Sequence, residues 1–383
     1  MAQIVVIAAG SDQMRPHITR PTTPPPQKAG LATSPRIRGR EPQAKASTRD
    51  PGRMPRHPRP LPHHLGDAFG RARALAAGVS PGRLRTRDLE RPFHGARLAH
   101  PDAANDSGEG IELPRTPDEE KRARLQHRAR AYAEVMGAHA FFIGLTAAAL
   151  WGAPLPDDFD PEADLEVGTV YPHRAPRGRG VRARQVRPHL VTTRVRDGLR
   201  VASPASTWAL LGGELDGRWL VILGDYFVRI PRGPGGRPRP RDQLTTPERL
   251  RAAASEPQRR HRRTLQAALA DVRVGSFSRL ETEYRLDAAA AGLPEMELDV
   301  EIRDAKGHLL GIADGVHRRY RVLVEIEGDH HRTSRRQWNR DIERLAAFAA
   351  ENWEVIRVTG GRVRGGTAAT LVAAALRRHG WER

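Results

Sequence analysis

The chain has 383 residues and carries 64 Lys and Arg against 45 Asp and Glu, a formal net charge of +19. It holds no cysteine, which excludes disulfides, thiolate metal sites and a cysteine nucleophile. No apolar run approaches the length that spans a bilayer, and "MAQIVVIAAG" lacks the basic flank and cleavage site of a signal peptide, so a cytoplasmic protein without a membrane partner is expected.

The length suits two or three domains, and the charge points to a polyanionic partner, most simply DNA. That inference is discounted because only four basic residues are lysine (Lys28, Lys45, Lys121 and Lys306), a bias that G+C-rich coding also produces. Residues 1–62 hold 12 of the 31 prolines and show no apolar periodicity, so they are expected to form a disordered basic tail. Two alternatives stand for it: a tail that touches DNA, or an upstream start with Met54 opening the protein.

Over 63–130, "RARALAAGVSPGRLRTRDLERPFHGARL" reads as helix, turn, helix and short strand. Gly78 closes the first helix, Ser80 caps the second and Pro81 takes its first position. Leu84 and Leu89 would face a core, leaving Arg83, Arg85 and Arg87 exposed as nucleic-acid contacts. This is the outline of a winged-helix-like helix-turn-helix with "RPFHGAR" as wing; a plain helical hairpin with solvated arginines is the alternative. Residues 98–118 read as loop, followed by a helix from about Glu119 to Met136.

A central α+β domain is expected over 131–235. In it "FFIGLTAAALWGAPLP" reads as a helix stopped by prolines and "LEVGTVYP" as a strand. "LRVASPASTWALLGGEL" reads as a strand and then a helix capped by Ser203 with Pro204 at its start. "WLVILGDYFVRI" is apolar enough for a buried helix or strand, and Asp225 within it reads as an exposed or capping carboxylate. The Pro/Gly/Arg-rich stretch 236–255 marks a linker, and 256–383 the last domain.

There "SRLETEYRLDAAAAG" predicts an amphipathic helix, and "MELDVEIR" an alternating strand followed by the turn "DAKG". "HLLGIADGVH" and "YRVLVEIEG" predict two more strands. Alternation puts Val322, Val324 and Ile326 on one face and Leu323, Glu325 and Glu327 on the other, the two glutamates roughly 6.6 Å apart along the strand. Two carboxylates on one face repel unless a cation lies between them. The preceding strand can present Asp314 to the same place, and a hard ion such as Mg²⁺ takes such an oxygen cluster. His330 and His331 follow in the turn "GDHHR", with imidazoles able to move a proton on an attacking water. A helix with Arg335, Arg336 and Arg344 as phosphate contacts, a strand "WEVIRVT" and a last helix complete the order α-β-β-β-α-β-α, a mixed α/β fold.

Residues 276–381 resemble the restriction-endonuclease-like domains of unknown function related to very-short-patch-repair endonucleases, in the PD-(D/E)XK superfamily. The resemblance rests on "SRLETEYRL…AGLP", Asp314, "VEIEGDHHRTSRRQWNRDIERLAAF" and "NWEVIRVT". It implies a mixed-sheet nuclease fold that cleaves DNA with Mg²⁺ or Mn²⁺. Glu325, Glu327, Gly328 and His331 stand at the family's E-x-D-G-x-x-H positions, Asp314 at its metal-binding aspartate, and Glu281 at the acidic residue of its first helix. Asp341 and Arg344 match its helix signature. Two departures are plain: Glu327 stands where aspartate is usual, and the superfamily's strand lysine is absent, with His330 or His331 as candidate replacements. Residues 65–235 resemble AbiEi-type antitoxin and regulator proteins, on "AFGRARALAAGVSPGRLRTRDLERPFHGARL", "LTAAALWGAPLP" and "VASPASTWALLGG…LGDYFVR".

Two functions are therefore expected. One is a Mg²⁺-dependent DNA endonuclease with Asp314, Glu325, Glu327 and Glu281 at the metal and His330 or His331 handling the proton. The alternative is a DNA-binding regulator or antitoxin with an inert nuclease-like domain, with a partner toxin or a homodimer as its assembly.

Overall fold

The computed structural model describes residues 58–99, 116–327 and 335–382, and for 335–341 only the backbone. Most of the expected tail at 1–62 lies outside these residues. Among the described residues no helix is long and apolar enough to cross a membrane.

Leu65, Phe69, Ala74, Val79, Leu84 and Leu89 close a small N-terminal core. Around it run β1 (Ala68–Gly70), α1 (Arg71–Ala76), β2 (Leu89–Glu90) and β3 (Ala96–Ala99), with the strands antiparallel in the order β1-β3-β2. The expected second helix does not form. After Gly78, at φ +80°, the chain makes only a 3-10 turn at Arg83–Arg85. Arg83 folds back on Thr86 Oγ1 at 2.5 Å, on Asp88 at 2.7 and 3.1 Å, and on the Arg59 carbonyl at 2.6 Å. This clasp closes a loop where a helix would have continued. Arg83 is thus half-buried and paired, while Arg85 and Arg87 stay exposed. The expected wing docks instead of projecting: Phe93 is buried, its ring 5.1 Å from that of Tyr132.

The central lobe begins with α2 (Pro117–Ala133), where Thr116 and Glu119 cap each other's backbone N–H reciprocally. It continues through β4 (Ala140–Phe142), α3 (Gly144–Leu150), β5 (Leu165–Val170), β6 (Val181–Val186), β7 (Thr193–Arg196) and β8 (Leu199–Ala202). These strands form one mixed sheet in the order β6-β5-β4-β8-β7. The stretch expected as one helix from Phe141 starts as a strand, because Gly144 takes φ +58° against the Glu166 carboxylate, where a Cβ has no room. Four helices follow: α4 (Pro204–Leu210), α5 (Gly217–Val228), α6 (Pro247–Ser255) and α7 (Arg262–Asp271). Ser203 caps α4, as its sequence predicts, and Asp216 caps α5 by accepting from Trp219 N at 2.8 Å. "WLVILGDYFVRI" is thereby settled as a helix. The stretch read as a linker contains α6, and Leu250, Ala254, Leu265, Ala268 and Val272 all join the central core.

The C-terminal lobe follows the expected order, with one short extra helix. It comprises α8 (Arg279–Ala290), β9 (Glu297–Arg303), β10 (Leu309–His317), β11 (Val322–Glu327), α9 (Arg335–Ala350), β12 (Glu354–Thr359), α10 (Gly360–Arg364) and α11 (Ala368–Arg378). The sheet order is β12-β11-β10-β9, antiparallel except for the parallel pair β11–β12. Tyr284, Val322, Val324, Val358 and Val372 build the core on one face, under α8 and α11. Ile302, Ala313, Leu323, Phe348 and Trp353 build the other, under α9. Burial on both faces is what a helix-sheet-helix sandwich requires.

Asp225 departs from its sequence reading. It is 1% exposed and accepts hydrogen bonds from Arg273 N (2.8 Å), Thr282 Oγ1 (2.9 Å) and Arg285 Nη2 (2.8 Å). It ties α5 to α8 across the boundary between the central and C-terminal lobes.

Candidate acidic site

Strands β10 and β11 pair from His317–Val322 to Gly315–Val324, and there the ladder stops while β11 runs on beside β12. At the parting point a side chain takes over from the backbone: Asp314 Oδ2 accepts from Ile326 N at 2.7 Å. Burial pushes the Asp314 carboxyl up, and the charges of Asp299 and Glu327 add to that, against the pull of Ile326 N–H and Arg344.

Glu325 and Glu327 follow on β11, with Leu323 in the α9-side core as alternation predicts. Glu325 is 8% exposed. Its Oε2 lies 3.1 Å from Arg344 Nη2, and its Oε1 accepts from Nη1 at 3.3 Å. Arg344 reaches there by crossing β10 at Gly311, where a Cβ would meet Arg344 Cδ at 2.9 Å and Phe348 Cζ at 2.8 Å. Burial, with Asp314 nearby, pushes Glu325 up to about 7 despite Arg344. Glu327 pairs with Arg357, which stands on β12 in register with Glu325.

Glu281 enters from α8. Its backbone N–H donates to the Ser278 cap, and its own carboxylate accepts from Phe277 N at 2.7 Å. Burial first, then the Asp314 and Asp299 charges, push it up to about 8.

Asp299, which the sequence reading passed over, is the fifth carboxylate. It lies in β9 between Leu298, opposite Gly315, and Val300, opposite Ala313. Leu298 packs into the α8-side core and Val300 into the α9-side core. Strict alternation would put both on one face. The interruption falls on Asp299, whose φ is +54°, a left-handed conformation that costs about 1–3 kcal/mol for a non-glycine residue. Arg232, from the loop between α5 and α6, holds its carboxylate at 2.6 Å.

Of the residues singled out from the sequence, Asp314, Glu325, Glu327, Glu281 and Arg344 are brought together. His330 and His331, and the side chains of Arg335, Arg336 and Asp341, lie outside the described residues. Arg83, Arg85 and Arg87 belong to the N-terminal lobe. Among the described residues no three His, Cys, Asp or Glu side chains converge closely enough to hold a metal ion. Five carboxylates face three guanidinium groups (Arg232, Arg344 and Arg357), which leaves two negative charges when all are ionised. The donors are of the hard oxygen type that a divalent cation such as Mg²⁺ or Mn²⁺ takes, but the described ones are not gathered around one point.

No family model, no curated protein and no solved structure matches this chain.

Proposed function

We propose that the C-terminal lobe is a metal-dependent DNA endonuclease domain of the restriction-endonuclease-like type. The observation that carries this reading is the gathering of Glu281, Asp299, Asp314, Glu325 and Glu327 where β10 and β11 part, with Glu281 and Glu325 buried and pushed up to about 8 and about 7. Burying so much like charge without a ligand is unfavourable, and active sites are where such arrangements are found. Asp314 and Glu325 would hold the ion, with Glu327 and Glu281 alongside. The ion would supply Lewis-acid stabilisation of the charge that builds on the phosphate and the leaving oxygen.

Arg344 orients Glu325 through two contacts and lies beside the Ile312 carbonyl at 3.2 Å, so it fixes the carboxylate and offers positive charge to a phosphate. Arg357 supplies a cation next to Glu327. His331 or His330 is the sequence's candidate for the proton on the attacking water. A nucleic-acid partner is further supported by Arg85, Arg87, Arg174, Arg177 and Arg179, all exposed and free to meet a phosphate backbone.

The regulator alternative is weakened by the 3-10 turn that stands where a recognition helix was expected. Plasmid cleavage with Mg²⁺ or Mn²⁺ tests the main reading. Wild type is expected to cut, and Asp314→Ala and Glu325→Ala to lose about 100-fold or more of that activity. Cleavage that persists in both variants would sink the assignment. A wild type that never cuts but binds promoter DNA specifically would favour the regulator.

A further inference from the structure

Strand β5 runs out into a turn at 171–173, at the end of the central sheet where β4 begins and β6 finishes. Four hydrogen bonds pin this turn. Tyr171 N donates to the Val186 carbonyl and His173 N to the Val170 carbonyl, both at 3.0 Å. The His173 carbonyl accepts from Gln185 Nε2 at 2.9 Å and from Thr169 Oγ1 at 3.2 Å. The side chains on this fixed backbone are nevertheless left to solvent: Tyr171 is 62% exposed, and His173 is exposed as well. His139, which leads into β4, lays its ring flat on that of His173, with 3.6 Å between centroids and 4° between planes. It too is exposed, and Arg200 Nη2 steadies the chain just before it by donating to the Gly137 carbonyl at 2.7 Å.

The charge around these rings is one-sided. Residues 165–200 hold nine arginines and two carboxylates, Glu166 and Asp197. Glu166 lies near the other end of β5, 6% exposed and paired with Arg182, and Asp197 pairs with Arg196. Arg174, Arg177 and Arg179, which follow the turn directly, are exposed and have no ion-pair partner among the described residues. A lone exposed ring needs no explanation. A ring stack and a tyrosine held on a pinned turn, beside unanswered guanidinium groups, do. Rings with free faces and cations without counter-charge are the two elements that recognise an unpaired strand, since bases stack on the first and phosphates meet the second. A duplex keeps its base faces inside its own stack and has none to offer the rings.

We propose that Tyr171, His173 and His139 form a stacking platform for single-stranded nucleic acid, with Arg174, Arg177 and Arg179 following its phosphates. This rests on the nucleic-acid partner proposed above, but on neither the acidic cluster nor cleavage, and it places the strand on the central lobe.

Fluorescence anisotropy of the full chain in EDTA at low salt tests this with three labelled ligands: oligo(dT), an abasic strand of the same length and charge, and a duplex. Wild type is expected to bind oligo(dT) more tightly than the abasic strand. Tyr171→Ala should lose about 10-fold on oligo(dT) and nothing on the abasic strand, while Tyr171→Phe keeps the ring and should bind as wild type does. Arg174→Gln should weaken both single strands alike and lower the salt slope by about 0.7. The substituted side chains are exposed, so melting temperatures should stay where they are. Loss on oligo(dT) alone in Tyr171→Ala, restored in Tyr171→Phe, supports the platform. Tyr171→Ala and His173→Ala that both bind oligo(dT) as tightly as wild type overturn it, and so does equal affinity of wild type for oligo(dT) and the abasic strand; binding of the duplex then leaves the nucleic-acid reading standing. No binding of any of the three ligands overturns both.

Discussion

Helix α8 takes part in two buried carboxylate sites one residue apart, and the contrast between them separates scaffold from function. Thr282 and Arg285 of this helix answer Asp225, which also takes Arg273 N. Burial raises the Asp225 carboxyl, and every neighbour that acts on it pulls the other way. Next to Thr282, Glu281 points into a site where burial is reinforced by the charges of Asp314 and Asp299. Both groups are buried to a similar degree. What differs is whether the chain itself supplies the opposing charge: for Asp225 it does, and for the acidic cluster it leaves a surplus.

The largest expected effect follows from the complete site. Asp225→Ala strands Arg285, whose side chain is 11% exposed, without its partner, and removing one half of a buried pair costs about 3–5 kcal/mol. Urea unfolding should show that loss, with the contact between α5 and α8 affected most. A loss under about 1 kcal/mol would place Asp225 among exposed pairs and remove the contrast.

How much of this was readable beforehand divides along the same line. The strand and helix order from Arg279 onward was legible because "MELDVEIR" alternates, "RVLVEIE" is an apolar run that ends in alternation, and "DAKG" supplies the turn between the first strand and the next. Asp314, Glu325 and Glu327 were legible as a group for the same reason: spacing along a strand fixes the face; Glu281, on α8, was singled out only by the family resemblance. Partners distant in sequence were not. Arg232 reaches Asp299 across 67 positions, and Arg357 meets Glu325 only through the register of a parallel pair. Asp225 was misread because an apolar run says nothing of the lobe that will pack on it. The second helix near Arg83 was misread for a different reason. Its cap and proline signals are real, but they are local, and the clasp of Arg83 on Asp88 and Thr86 overrides them.

His317 gives a third case, a buried titratable group with neither partner nor counter-charge. It is 3% exposed, and neither ring nitrogen has a hydrogen-bond partner. Burial lowers its pKa from 6.5 to about 4. The unfolded chain therefore binds a proton that the folded one refuses between those values. The stability tied to the neutral ring is complete above pH 6.5 and is lost as pH falls toward 4, up to about 3 kcal/mol in all. His317→Leu should flatten that acid limb when urea midpoints are followed from pH 7 to pH 4. An unchanged limb would mean that the ring finds a partner on protonation.

The smallest expected effect is the most discriminating, because its sign is opposite to the usual carboxylate case. Glu281 and Glu325 have folded pKa values raised from 4.5 to about 8 and about 7. Their contribution is favourable below pH 4.5 and is lost as pH rises through those values, since the fold then confines charges that repel. Glu281→Gln removes one of the two surplus charges and keeps an oxygen to accept from Phe277 N. It should therefore stabilise the protein by about 1–2 kcal/mol at pH 8 and hardly at all at pH 4.5. Asp225→Asn, judged by the same urea midpoints, should destabilise at pH 8, because Arg285 loses its counter-charge. If both amide variants lower stability at pH 8, the acidic cluster is as well compensated as the Asp225 site, and no surplus charge is left for a divalent ion to answer.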